Sequence, residues 1–273
     1  MSRTTPAVRP SRRRRTLESR WTPYIFLAPA ALYILVFQGV PLVQEVYLSF
    51  TKTTLLNPTS SVWVGLDNYV AIFSDPSFRQ TLLTTLVYVV ACVAGSVGLG
   101  LLVAMLLNGR FPGRGFARAL ITVPWAAPSI AIALIATWML NAQYGILTKV
   151  LRAIGIDTGA SGVLDNPSLA MVAILATTIS QLVPFVAVVL LSALQSVPQE
   201  LVEAAEMDGA GRWMVFRVVT FQVLKPTLAL VAVLMTIWSL RRFELIWLMT
   251  RGGPLGTTRT LVIDLYSQSG PTR

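Results

Sequence analysis

The side chains that most enzymes use for chemistry are scarce in this chain. Histidine is absent, which removes the usual general base and a common metal ligand. The single Cys92 lies in an apolar run, so neither a disulfide framework nor a cysteine metal cluster can form. No Gly-rich loop ending in Lys-Ser/Thr is present to cradle a nucleotide phosphate, and no pair of carboxylates sits in a credible acid–base pocket. Two polar groups remain. One is acidic: Glu200, Glu203, Glu206 and Asp208, between Gln195 and Pro226. The other is embedded in apolar sequence: Gln181 and Pro184 in one run, and Ser239, Arg241, Arg242 and Glu244 in another. Neither group breaks bonds. An acidic helix with an apolar face can dock in a partner's groove. Polar and ionisable residues inside membrane spans are candidates for a solute pathway. Ser239 and Arg242, three apart, would share one helical face. A hydroxyl-rich solute would use such donors and acceptors, with Trp125, Trp138, Trp238 and Trp247 as stacking faces. Plainer roles stand beside these: interhelical hydrogen bonds worth about 1 kcal/mol each, a solvated linker, and tryptophan anchors at the interface.

These groups must be held by apolar helices. Hydrophobic residues make up 54% of the 273 positions and charged residues only 12%, about half of what a soluble domain carries. A membrane helix needs about 20 apolar residues. Five such stretches are expected, from about Tyr24 to Leu48, Leu82 to Leu107, Ala119 to Leu140, Leu169 to Leu194, and Thr227 to Met249. Gly95, Gly98 and Gly100 predict a close-packing face on the second span. Net charge is +10, but the arginines gather in residues 1–20 and at span ends. That is the positive-inside pattern, and it points to membrane lipid, not nucleic acid. Residues 1–20, with seven arginines, read as a disordered cytoplasmic tail. The loop holding Arg110, Arg114 and Arg118 falls on the same side. Segments 51–76 and 141–167 then lie outside, with a surface helix over residues 146–154. Pro184-Phe185 predicts a kink, and Cys92 a small buried hydrophobe.

The acidic stretch reads as helix, tight turn, helix. Ser196 is placed to cap the first helix, with Gln199 as its reciprocal partner and Pro198 in the first turn. The glutamates suit the positive end of the dipole. Gly209 supplies the stop, and a short helix from about Arg212 to Val219 leads towards Pro226.

The run Glu203-Ala204-Ala205-x-x-Asp208-Gly209-Ala210 resembles the EAA loop of binding-protein-dependent ATP-binding cassette (ABC) importer permeases. With Pro184-Phe185 upstream and Gly252-Gly253-Pro254 downstream it is similar to the maltose-type sugar permeases, from roughly Trp21 to Tyr266. Gly65-Leu66-Asp67-Asn68-Tyr69 and Tyr144-Gly145-Ile146-Leu147 resemble two further family stretches. One departure is Phe221-Gln222, where the family usually has Leu-Pro. The resemblance implies that Glu203, Ala204, Ala205, Asp208, Gly209 and Ala210 couple to a cytoplasmic ATPase. It also implies that the positions of Ser239 and Arg242 line a sugar site, here with an arginine in place of an amide.

The expected protein is therefore an all-α polytopic helix bundle of the type I ABC permease kind. A permease domain over residues 21–266 would contain the coupling loop 195–226, with a tail at 267–273. Five full spans are legible; the family pattern continues into a sixth. The implied partners are a second permease, an ATPase dimer, an extracytoplasmic solute-binding protein and a sugar-like substrate. No cofactor is expected on this chain, ATP and Mg being used by the ATPase. Gln181, Pro184, Ser239, Arg242 and Glu244 are the candidate pathway residues, with Arg242 facing either an acidic ligand or Glu244. An ion-coupled secondary carrier, a membrane enzyme and a truncated inactive permease are the rivals. The lack of an internal repeat and the scarcity of buried acids count against the carrier.

Overall fold

The computed structural model describes residues 21–54, 57–109 and 111–269; the expected tail at 1–20, Arg110 and residues 270–273 lie outside them. The chain forms two compact units, Met1–Asp75 and Pro76–Arg273.

In the first unit, helix α1 (Thr22–Ile34), a wider π turn (Leu35–Gly39) and helix α2 (Val40–Ser49) make one apolar span. The π turn ends at Gly39, with Val40 between it and Pro41, whose ring nitrogen cannot donate a helical hydrogen bond. The segment expected as a loop is a hairpin instead. Strand β1 (Thr51–Thr54) pairs antiparallel with β2 (Asn57–Trp63), followed by helix α3 (Asp67–Ser74). Asn68 Nδ2 donates to the carbonyls of Ser49 at 2.9 Å and Thr51 at 3.0 Å, and Tyr69 OH meets Ser49 Oγ at 2.7 Å. The Gly-Leu-Asp-Asn-Tyr stretch thus ties α3 to the end of α2. Gly65, at φ 58°, makes the turn that allows it.

The second unit is built on helix α4 (Pro76–Asn108) lying along helix α8 (Pro167–Gln195). Helix α5 (Arg114–Ala126) and helix α6 (Ser129–Met139) form a pair bent by 94°. Helix α7 (Ile146–Ala153) fills the expected surface position. Helix α9 (Gln199–Met207) and helix α10 (Arg212–Val215) follow α8. A π segment (Phe216–Thr220) joins α10 to helix α11 (Phe221–Leu240), so one continuous helix runs from Arg212 to Leu240. Helices α12 (Glu244–Thr250) and α13 (Leu261–Ser269) complete the unit.

Two expectations are corrected. Among the described residues four helices are long and apolar enough to cross a membrane, and a fifth span is counted only where the bent pair α5–α6 is taken as one, not as the straight helix expected. The last expected span, Thr227 to Met249, starts earlier and ends at Leu240. Pro184 lies inside α8, which is continuous from Pro167 to Gln195. The bend between α5 and α6 follows from Pro128. A residue before proline is forced out of the helical region, and Ala127 sits extended at φ −76°, ψ 141°.

Small residues decide how α4 and α8 meet. A Cβ on Gly95 would stand 2.5 Å from Ile179 Cδ1, and one on Gly100 would overlap the Val186 side chain. Gly98, expected on the same face, has nothing within 4 Å. Two apolar clusters result. One includes Tyr88, Cys92, Ile174, Leu245 and Ile263; the other includes Leu182, Val186, Leu190, Val231 and Met235. Between their contributions on α8 lie Thr178 and Gln181, both buried, with Thr178 Oγ1 3.1 Å from Tyr88 OH. Gly100→Ala should therefore lower stability by about 1–3 kcal/mol through overpacking, while Gly98→Ala should be neutral or stabilising. Thermal unfolding in detergent reads both, and equal shifts would refute the packing face.

Candidate functional site

Where two helix breaks face α8, a cavity of about 570 Å³ opens, lined by Trp125, Ala127, Ser129, Gln181, Trp238 and Arg242 among others. The first break, Ala127-Pro128, frees the Ala127 carbonyl, and Gln181 Nε2 donates to it at 3.3 Å. The same nitrogen is 3.4 Å from Ser129 Oγ. The second break follows Leu240, where Arg241 caps α11 and Phe243 precedes α12. Arg242 lies in this break, not on the helix. Its Nη1 donates to Gln181 Oε1 at 2.9 Å and reaches Ser129 Oγ at 3.4 Å. The Gln181 carboxamide thus accepts from one broken span and donates to the other. An unsatisfied backbone carbonyl inside a membrane would cost several kcal/mol; Gln181 removes that cost and is itself buried.

The opposite face of the cavity is aromatic. Phe185 packs between Trp125 at 5.6 Å and Trp238 at 4.9 Å, ring centroid to ring centroid. Phe185 is outside the cavity lining and braces its two tryptophans from behind, and Pro184, one residue before it, is buried in α8. Trp138 is exposed, and Trp247 packs on Phe243 and Tyr266.

The candidate pathway residues separate. Gln181, Arg242 and Glu244 line the cavity. Ser239 does not: it is 2% exposed, and its Oγ has no hydrogen-bond partner. The expectation of a shared helical face for Ser239 and Arg242 fails because α11 stops between them. Arg242 bonds Gln181 and not Glu244. Ser129 was missed from the sequence; its signal was the Pro128-Ser129 step inside an apolar run.

The acidic segment forms a separate feature. Ser196 does not cap α9; its Oγ donates back to the Ala193 carbonyl at 2.8 Å, at the end of α8. Pro198 occupies the N-cap position. Glu200 lies in the first turn. After Asp208, Gly209 turns at φ 80°; its N–H bonds the Glu206 carbonyl and that of Ala210 bonds Ala205, both at 3.0 Å. This pair of bonds is a Schellman motif, and glycine fits it because a Cβ resists positive φ. Glu203 and Ala204 are exposed, and Ala205 and Ala210 are half-buried. Met207 is 87% exposed and Trp213 74%. Two large apolar side chains thus stand exposed beside the charged residues of the elbow.

A bundle of apolar spans, with a polar cavity between helix breaks and an exposed acidic elbow, has the architecture of a membrane permease. Residues 96–268 match the family described as binding-protein-dependent transport system inner membrane component. The chain belongs to that family, and is a multi-pass inner-membrane permease component, not the ATPase. It is 32% identical over 255 residues to a sulfoquinovosyl glycerol transport system permease protein of Agrobacterium fabrum, covering 93% of this chain and 82% of that one. It is 34% identical over 246 residues to a trehalose/maltose transport system permease protein of Thermococcus litoralis, covering 89% and 82%. A bacterial alginate ABC transporter structure superposes with a TM-score of 0.74 at 22% identity, over 91% of this chain and 82% of that one, which establishes the fold.

A double-mutant cycle over Gln181→Ala and Arg242→Ala should return a coupling of about 0.6–1.7 kcal/mol in detergent unfolding. Additivity within about 0.3 kcal/mol would show that the two side chains act apart.

Proposed function

We propose that this chain forms half of the translocation pathway of an ATP-driven importer for a sugar or sugar-like solute. The observation that carries this reading is the cavity, whose aromatic face suits a sugar ring and whose polar face suits its hydroxyls. The printed substrates of the two named relatives, a sulfoquinovosyl glycerol and trehalose/maltose, support it. A second permease closes the pathway, and an extracytoplasmic binding protein delivers the solute.

The elbow carries the energy. Glu203, Ala204, Ala205, Asp208, Gly209 and Ala210 seat in a cleft of the ATPase, which hydrolyses ATP with Mg. The small alanines let α9 approach closely, and the Schellman turn makes the elbow stiff enough to move as one body. Because α8 and the Arg212–Leu240 helix emerge directly from it, its displacement reaches Gln181 at the cavity. The amino terminus and the elbow lie in the cytoplasm, as the arginine distribution supports.

Gly209→Pro removes the Gly209 N–H bond and forbids positive φ. It should leave membrane insertion intact while abolishing uptake and substrate-stimulated ATP hydrolysis; normal uptake would refute coupling through the elbow. Orientation is read with Met207→Cys and a membrane-impermeant thiol reagent. Cys92 is fully buried, so its background is low. Inside-out vesicles should label and right-side-out vesicles should not. Uptake should also stop with vanadate; collapse under an ionophore at constant ATP would favour an ion-coupled carrier instead.

A further inference from the structure

We infer that the cavity selects a saccharide bearing one anionic group, a carboxylate, sulfonate or phosphate. This rests on the importer reading above and narrows its substrate class. Two arginines and one glutamate line the cavity, Arg241, Arg242 and Glu244, leaving a net charge of +1. Neither arginine is paired. Among the described residues one ion pair forms, Arg259 with Asp264 at 2.6 Å. A charge held between apolar spans without a counter-ion is unfavourable, and such residues pair with one another, with backbone carbonyls or with a ligand.

The hydrogen-bond inventory gives the same sign. Arg242 spends Nη1 on Gln181 and Ser129, while Nη2 donates to no described protein atom. Ser129 Oγ receives from both Arg242 Nη1 and Gln181 Nε2. Its own hydrogen is therefore free to donate. A free guanidinium edge and a free hydroxyl donor stand on one wall, and both Gln181 amide ends are already engaged. A neutral sugar offers hydroxyls that both give and take. Beside Arg242 and Ser129 the donors are in surplus, which fits oxygens that only accept, as in an anionic group bound to an arginine edge by charge-assisted bonds; the exposed Glu244 carboxylate in the same lining is left to accept from ring hydroxyls. The aromatic face of Trp125 and Trp238, braced by Phe185, then takes the ring. Gln181 acts as a positioning residue, holding the guanidinium against the α5–α6 break.

The test uses the assembled transporter, with its second permease and ATPase, in lipid nanodiscs. Binding of radiolabelled methyl β-glucuronide and methyl β-glucoside, which differ only at C6, is measured by equilibrium dialysis. The glucuronide should bind about tenfold more tightly, the change that one charge-assisted hydrogen bond produces. The preference should fall below about twofold in Arg242→Gln and persist in part in Arg242→Lys, in line with loss and retention of charge. Equal binding of the two glycosides by the native protein overturns the anion assignment and leaves sugar import standing. A preference that survives Arg242→Gln overturns the placement of the anion on Arg242. Binding of neither glycoside overturns the anion assignment, while vanadate-sensitive uptake decides the importer reading separately.

Discussion

Every backbone polar group in a membrane must find its partner inside the protein, and this constraint shapes the centre of the molecule. Two helices break, at Ala127-Pro128 and at Arg241–Phe243, and each break releases groups that water would normally satisfy. One side chain on an unbroken helix ties the two breaks together, satisfying a freed carbonyl at the first and holding a side chain from the second. Gln181 donates to the Ala127 carbonyl and accepts from Arg242. Because a carboxamide has donor and acceptor ends a fixed distance apart, it can hold two breaks only if they lie at one level. The cavity is the space left between them.

The packing around this level explains how it stays in place. Gly95 and Gly100 let α4 and α8 approach until Ile179 and Val186 fill the glycine sites. Apolar clusters continue on either side of the Thr178–Gln181 level. The buried polar side chains of α8, Thr178 and Gln181, therefore fall in a narrow layer, with Tyr88 and Thr178 bonded across the helix pair. Strength and function divide along the axis: dispersion and burial hold the two clusters, while hydrogen bonds between them fix which helices can turn against which.

Turn chemistry carried the parts of the molecule that could be read directly. The stop at Gly209 follows from stereochemistry local to a few residues, and so does the interruption at Pro128, although the apolar run around it reads as one span. Ser196 shows the limit of such rules. Its spacing to Gln199 fits a capping box, yet the serine also lies within reach of the Ala193 carbonyl, and the end of α8 takes it. The hairpin over residues 51–63 was hidden for a related reason, since a two-stranded ribbon depends on partners and not on a periodicity of its own.

The sequence by itself determined the apolar spans, the acidic elbow with its glycine stop, and the presence of Gln181, Arg242 and Glu244 among apolar residues. Hydropathy, proline and glycine stereochemistry are local, and a single chain displays them in order. Only the tertiary structure decided that Arg242 leaves the helix while Ser239 stays buried in it, that Ser129 joins the cavity, and that Phe185 packs between two of its tryptophans. Those outcomes depend on where one helix stops relative to a neighbour more than 50 positions away in the chain. No local preference encodes that distance; packing and the demand for hydrogen-bond partners set it.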